Sequence, residues 1–424
     1  MILNKNAHRW FQFLLFNLLF HHVIGFSSYP SRYDLFSSSI SDRYFFSLAS
    51  TLNDENGQII DVDDKLRVTQ SHSKSSIGLT DEEFTSWLSV ELSNAPGRQV
   101  YKTTFDIAIR SIVKWRRRFR GNPAVWKRLF KKDRVFKELI ESAPIIYSVQ
   151  QFVNNNENCK IDDEKITILD LCSGKGYLSM FLSEILPPEK IEKILLIDKA
   201  WAMCNSKVLP HHMNWDHIYG TIPHEVEGEF NEQQVLPKAN STYFTTWPIP
   251  LHTSKQDLKQ SCNPRQTKKR IFDQTKGPIL ILAVHLCGTL SLKAVDFFNN
   301  NKNVQMLCLK PCCLPGMVHA NRNDTFRIGR HSFPAEDVCS NGSFTKKDWS
   351  GPPRWHLEKK FHLWSDHLYK GIDIDGSGDS DGDSNCLEQF GRKEKREVQV
   401  QVDGGFQNTY LLAERTPLTA DLWD

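Results

Sequence analysis

The sequence predicts an α/β protein: an open, mostly parallel sheet with helices on both faces, closed by a C-terminal antiparallel hairpin and preceded by a small helical segment. Three observations predict it. Short apolar runs alternate with helical periodicity between residues 165 and 313. One run, GPILILAVHLCG from Gly277, is apolar almost throughout, as a strand must be when helices cover both its faces. Last, REVQVQV and FQNTYLLAE flank Asp403-Gly404-Gly405, a strong hairpin signal.

The chain has 424 residues and is 40% hydrophobic, enough for a full core and more than one average domain. It begins MILNKNAHRWFQFLLFNLLFHHVIG, with Lys5 and Arg9 ahead of a short apolar run and Gly25 at cleavage spacing. That is a signal-peptide plan, too short for a stable membrane span. The Ser-rich stretch that follows opens with Phe26, and the pair resembles the two-part presequence that leads into complex plastids. Residues 1–50 are therefore expected to be a targeting presequence, with a plastid as destination. Plain secretion is the alternative, and it would expose the sequons at Asn240, Asn323 and Asn341 to glycosylation.

Residues 51–80 read as a polar linker, ended by Thr80 and Glu83 at capping-box spacing. Residues 81–150 form a basic helical segment, with helices broken at Gly121-Asn-Pro123 and at Ala143-Pro144. Net charge is only +3, yet Arg110 to Lys137 carries twelve Lys/Arg against the single acid Asp133. Local basicity of that kind suggests a polyanion-facing surface, and RNA is the expected partner. Trp115 and Phe119, like Trp126 and Phe130, are four apart, so buried helix stripes compete with base-stacking platforms as the reading of these aromatics.

Residues 151–415 then hold the sheet. KITILDL ends in Asp170, and a helix from about Gly176 is stopped by Pro187-Pro188. EKILLID ends in Asp198. A third strand is expected near Ile249 to Leu251, at an edge because of its prolines. GPILILAVHLCG is the fourth, followed by a helix at SLKAVDFFN, and VQMLCLKPCC is the fifth. A helix then carries Leu357, Phe361, Trp364 and Leu368 on one stripe. Two inserts, 214–276 and 373–395, interrupt this plan. The second contains DIDGSGDSDGDSN, whose first half imitates a calcium loop but which has Ser384 in place of the closing glutamate, so a disordered acidic loop is expected.

The first strand-to-helix turn, DLCSGKGY, is where ligands sit in open α/β sheets. Gly174 and Gly176 let backbone approach a ligand that a Cβ would block. Asp170 can accept from an ammonium, and Asp198, 22 residues beyond Gly176, can take both hydroxyls of a ribose. Tyr177 completes the expected cofactor set. Adenosine with an amino-acid tail, S-adenosylmethionine, satisfies these groups. NAD is disfavoured because Ser179 stands where the third glycine of its fingerprint belongs.

At the ends of the fourth and fifth strands lie His285, Cys287, Lys310, Cys312 and Cys313. Small buried cysteines shaping a pocket, a proton-transferring His285 or Lys310, a thiolate nucleophile at Cys287 or Cys312, and zinc held by His285 with the three cysteines all fit these residue types. No metal is expected, since no C-x-x-C pair exists. His285, Cys287, Lys310 and Cys312 are the catalytic candidates.

DLCSGKGYLS, VHLCG and KPCC, in this order, resemble the methyltransferase-domain family that includes methyltransferase-like 25 and glutathione-S-transferase C-terminal-domain-containing proteins. A more distant likeness is to a tRNA 2′-O-methyltransferase acting in the acceptor stem. The resemblance covers about residues 145 to 415 and implies a class I (Rossmann-like) methyltransferase fold using S-adenosylmethionine. The expected function is RNA methylation in an organelle. A protein or small-molecule acceptor, or a non-catalytic RNA-binding module retaining the fold, remains open. Nothing in the sequence sets the oligomeric state.

Overall fold

The computed structural model describes residues 78–155, 164–203, 208–220, 247–260, 262–341, 352–374, 391–400 and 406–415. They fall in one compact unit. The expected presequence, almost all of the linker, the acidic loop beyond Ile374 and residues 221–246 of the first insert lie outside the described residues.

Helix α1 (Asp81–Glu91) starts where its capping box predicts: Thr80 Oγ1 accepts from Glu83 N at 3.2 Å, and Glu83 Oε2 accepts from Thr80 N at 2.7 Å. Helices α2 (Lys102–Arg118), α3 (Pro123–Leu129) and α4 (Lys132–Asn155) follow, α3 being capped by Asn122 and opened by Pro123. The expected break at Ala143-Pro144 is absent. α4 runs through Pro144 because Val135, Leu139, Ala143, Ile146, Val149 and Phe152 form one buried stripe, whose packing outweighs the single backbone hydrogen bond that proline removes. The expected boundary at residue 150 therefore falls inside a helix.

The sheet strands are β1 (Ile166–Leu171), β2 (Ile191–Asp198), β3 (Leu251–Lys255), β4 (Ile279–Cys287) and β5 (Val304–Cys313). α5 (Tyr177–Ile185) joins β1 to β2, and α6 (Asp216–Tyr219) and α7 (Cys262–Thr267) lie in the first insert. α8 (Leu290–Asn300) joins β4 to β5. Beyond β5 come α9 (Met317–Ala320), a separate small hairpin of β6 (Thr325–Ile328) and β7 (His331–Pro334), and α10 (Arg354–Gly371). β8 (Arg392–Glu397) and β9 (Thr409–Glu414) end the described chain.

Strand order in the large sheet is β3-β2-β1-β4-β5-β9-β8. β1 to β5 are parallel, and β9 pairs antiparallel with both β5 and β8. The third strand is at the edge as expected, but it runs Leu251–Lys255, beginning two residues later than Ile249 and extending beyond Leu251. The penultimate strand differs more. Its ladder covers Arg392–Glu397 and stops before Val398, so the alternating valines follow the strand instead of forming it. An edge strand beside a buried one tolerates charged side chains, which the apolar pattern could not reveal.

Successive residues of each inner strand serve opposite cores. Ile168, Leu280, Leu282, Met306 and Leu412 pack with α1, α2, α4 and α5, whereas Leu169, Ile279, Ile281, Leu307 and Leu411 pack with α8, α10 and the small hairpin. The basic helical segment is thus one of the two layers covering the sheet. Trp115, fully buried, marks the join, with Phe181 of α5 at 4.6 Å between ring centroids.

Candidate active site

Chain order runs outward from β1 in one direction through β2 and β3, and in the other through β4 and β5. The crevice at the carboxyl ends of β1 and β4 is therefore the switch point where such sheets bind ligands. The turn after β1 closes on the end of β2: Gly174 N donates to Asp198 Oδ2 at 3.1 Å, and Asp198 Oδ1 accepts from Ala200 N at 2.8 Å. Cys172 and Gly174 both have left-handed φ, 55° and 53°. A Cβ on Gly174 would meet nothing within 4 Å, so open space borders the backbone there.

Gly176 differs. With φ 82°, a Cβ there would collide with Leu196, so this glycine serves close packing of α5 on β2, not ligand approach. Tyr177 also leaves the cofactor set: its ring is buried and its hydroxyl donates to Leu129 O at 2.6 Å, tying α5 to α3. Asp170 is buried, accepts from Ser179 Oγ at 2.7 Å, and is pushed up by burial to about 7. Asp170, Gly174 and Asp198 thus keep the arrangement that a zwitterionic nucleoside cofactor fits.

Side chains that sequence reasoning missed brace the turn. Trp201 Nε1 donates to Ser173 Oγ at 3.1 Å, and His217 of α6 holds Lys175 O at 2.8 Å. Burial depresses His217 to about 4, so it is a neutral imidazole donating through Nε2. Lys175 donates to Arg128 O, and burial, followed by repulsion from Arg134, Lys131 and Arg128, brings it down to about 8. No motif pointed to Trp201 or His217, which come from a loop and an insert.

At the ends of β4 and β5 two carboxylates from α4 enter the site. His285 Nε2 lies 3.1 Å from Glu138 Oε2 and 3.5 Å from Glu141 Oε2, while Lys310 Nζ lies 3.3 Å from Glu141 Oε1. Burial works to lower His285, but the Glu138 hydrogen bond and both carboxylates outweigh it and hold the imidazole above its ordinary value. A raised, ion-paired imidazole is a poor general base at neutral pH, and Lys310, 1% exposed, is consumed by its own ion pair. The sequence signal was available in the spacing of Glu138 and Glu141, i and i+3 and so neighbours on the helix surface, with Glu141 just ahead of the apolar-rich run from Ala143.

Cys287, Cys312 and Cys313 converge without His285. Their Sγ atoms lie 3.2 Å (287 to 312), 3.5 Å (312 to 313) and 3.5 Å (313 to 287) apart, and all three thiols are free. Hydrogen bonds from Cys312 and Cys313 hold Cys287 low, toward the thiolate, while the same sharing pushes Cys312 and Cys313 up.

The strand order, the reversed strand next to β5 and the glycine turn at the switch point define a class I methyltransferase fold. Residues 144–319 match a family model described as a methyltransferase domain. A solved carbon methyltransferase, CurJ in its selenomethionine form, is similar at 10% identity with a TM-score of 0.31, over 85% of this chain and 72% of that one. No curated protein matches.

Proposed function

We propose that this protein is an S-adenosylmethionine-dependent methyltransferase acting on RNA in a plastid. The observation that carries the cofactor is the turn closed by Gly174 N on Asp198 Oδ2, with open space at Gly174 and the buried Asp170 carboxyl alongside. When bound, the cofactor supplies an electrophilic methyl group. Asp198 would orient its ribose hydroxyls and Asp170 its ammonium, and the residues at the ends of β4 and β5 would face the acceptor.

Calorimetric titration tests this reading. Gly174→Val puts a branched side chain into the open space and strains a left-handed φ, and should abolish S-adenosylmethionine binding, with circular dichroism checking that the fold is kept. Asp198→Ala should weaken binding by about 1.5 to 3 kcal/mol through lost charge-assisted hydrogen bonds, and Asp198→Asn, which keeps one acceptor, by less. Unchanged affinity in these variants, or tighter binding of NAD by wild type, would overturn the assignment.

RNA is supported by the outer face of α2 to α4. Arg110, Lys127, Lys131, Arg134 and Lys137 are exposed and pair with no acid among the described residues. Lys131 and Arg134 also lie close enough to repel Lys175 beside the glycine turn. Not all of the basic run is available. Arg116 donates to Leu79 O and pairs with Asp81 at 3.3 Å, and Arg118 pairs with the buried Glu184 at 2.7 Å and covers Trp247 at 3.9 Å. These inward cations favour the second reading, a protein or small-molecule acceptor with a segment that chiefly packs.

Replacing Lys127, Lys131, Arg134 and Lys137 with Gln should lower RNA affinity and reduce the slope of log K against log salt by roughly three, at about 0.7 to 0.9 counterions per contact. A wild-type slope in the folded variant would favour the second reading, as would label transfer from S-adenosylmethionine to protein instead of RNA. For the plastid, residues 1–60 fused to a reporter should reach the stroma and be cut near Gly25. A glycosylated full-length protein in the medium would mean secretion.

A further inference from the structure

Neighbouring residues of a strand point to opposite faces, so two adjacent cysteines do not ordinarily share one target. Cys312 and Cys313 do. Both reach Cys287, which lies across the β4–β5 pairing from Cys313, just where the register shifts between Leu286 and Cys287. The irregular strand ends bring all three sulfurs into a nearly equilateral triangle.

We propose that Cys287, Cys312 and Cys313 form a three-thiolate site for one thiophilic divalent metal ion, zinc in the cell, with its fourth position left to water or to an atom of the acceptor. The dimensions suit it. A metal–sulfur bond of about 2.3 Å places an ion about 1.2 Å above the plane of sulfurs spaced 3.2 to 3.5 Å, without moving them. Three ligands and a vacant fourth position are the arrangement of ions that take part in chemistry, whereas structural zinc is closed by four. Among the described residues no further His, Cys, Asp or Glu side chain joins the group. His285 is turned to Glu138 and cannot. Cys287 is exposed, which gives the ion a way in.

Other uses of these cysteines explain less. A disulfide would employ two sulfurs and leave the third without a purpose. A nucleophile needs one thiolate beside a cation, yet the imidazole two residues from Cys287 is already committed to carboxylates. Ion binding does not depend on methyl transfer, since the triangle would bind its ion with water in the fourth position in a protein that had lost activity. Only an acceptor atom in that position rests on the proposed function.

Full-length protein purified with reductant should carry about one zinc per chain by plasma mass spectrometry. Metal-free protein titrated with cadmium should develop the thiolate-to-metal charge-transfer band, saturating at one equivalent. At saturation three of the ten cysteines should become protected from a thiol reagent. Cys287→Ser, Cys312→Ser and Cys313→Ser should each weaken binding on the order of 100-fold or more, with circular dichroism unchanged. If a variant does not fold, the wild-type titration decides. A missing band with all thiols still reactive, cadmium retained in the triple serine variant, or oxidative pairing of two of these thiols in a protein that takes no metal would each overturn the site.

Discussion

Burial raises the Asp170 carboxyl to about 7, against the Ser179 hydrogen bond that works to lower it. A carboxyl whose folded value lies above its unfolded one contributes stability that is full below about 4 and is lost as pH rises through about 7. An ammonium placed beside it would favour the charged form and expel the proton. S-adenosylmethionine affinity should therefore rise about tenfold between pH 6 and pH 8, and Asp170→Asn should flatten that dependence. Calorimetry in buffers of different ionisation enthalpy would count the proton. A flat wild-type profile would remove Asp170 from the ammonium. His285 carries the same sign of pH dependence. Its raised value means that the pair with Glu138 supports the fold fully below about 6.5, and the support is lost as pH climbs through the folded value.

At the scale of elements, α4 is held to the strand ends by charge as well as by apolar packing. Glu141 and Lys310 are both nearly buried, and Tyr410 of β9 adds a hydrogen bond to Glu141 O at 2.8 Å. Glu141→Leu would strand Lys310 in the core and should cost about 3 to 5 kcal/mol. Adding Lys310→Met should restore most of it, because two apolar side chains of similar size need no partner. Urea midpoints at constant slope measure both steps, and no recovery in the double variant would mean that the pair is not the cause.

The elements most legible in the sequence were those whose burial writes a period. β1, β2, β4, β5 and the stripe of α10 were read nearly to the residue because both their faces, or one whole stripe, are apolar. β8 was not, since RKEKRE earns its place by pairing with β9 and carries no pattern of its own. The site divided in the same way. Asp170, Gly174 and Asp198 follow from local turn chemistry, whereas Gly176 and Tyr177 owe their roles to Leu196 and Leu129, contacts that spacing does not encode. The carboxylates facing His285 and Lys310 come from residues 138 and 141, more than a hundred positions away.

On the scale of the whole molecule, the helical segment cannot be detached from the sheet without exposing Ile168, Leu280, Leu282 and Met306. A chain beginning at residue 156 should fail to fold or aggregate, while one beginning at residue 77 should melt cooperatively. Circular dichroism and light scattering on the two would tell. A monomeric, cooperatively melting 156–424 fragment would show the two parts to be separable.

The alternation along the inner strands makes the sheet a partition between two neighbourhoods. In β4, Leu280 answers to the helices that precede the sheet in the chain and Ile281 to those that follow. Substitutions at adjacent positions should therefore be rescued by compensating changes on opposite sides of the molecule. A one-residue insertion in β4 would reassign every side chain beyond it to the wrong neighbourhood at once, and no single repair elsewhere could reverse that.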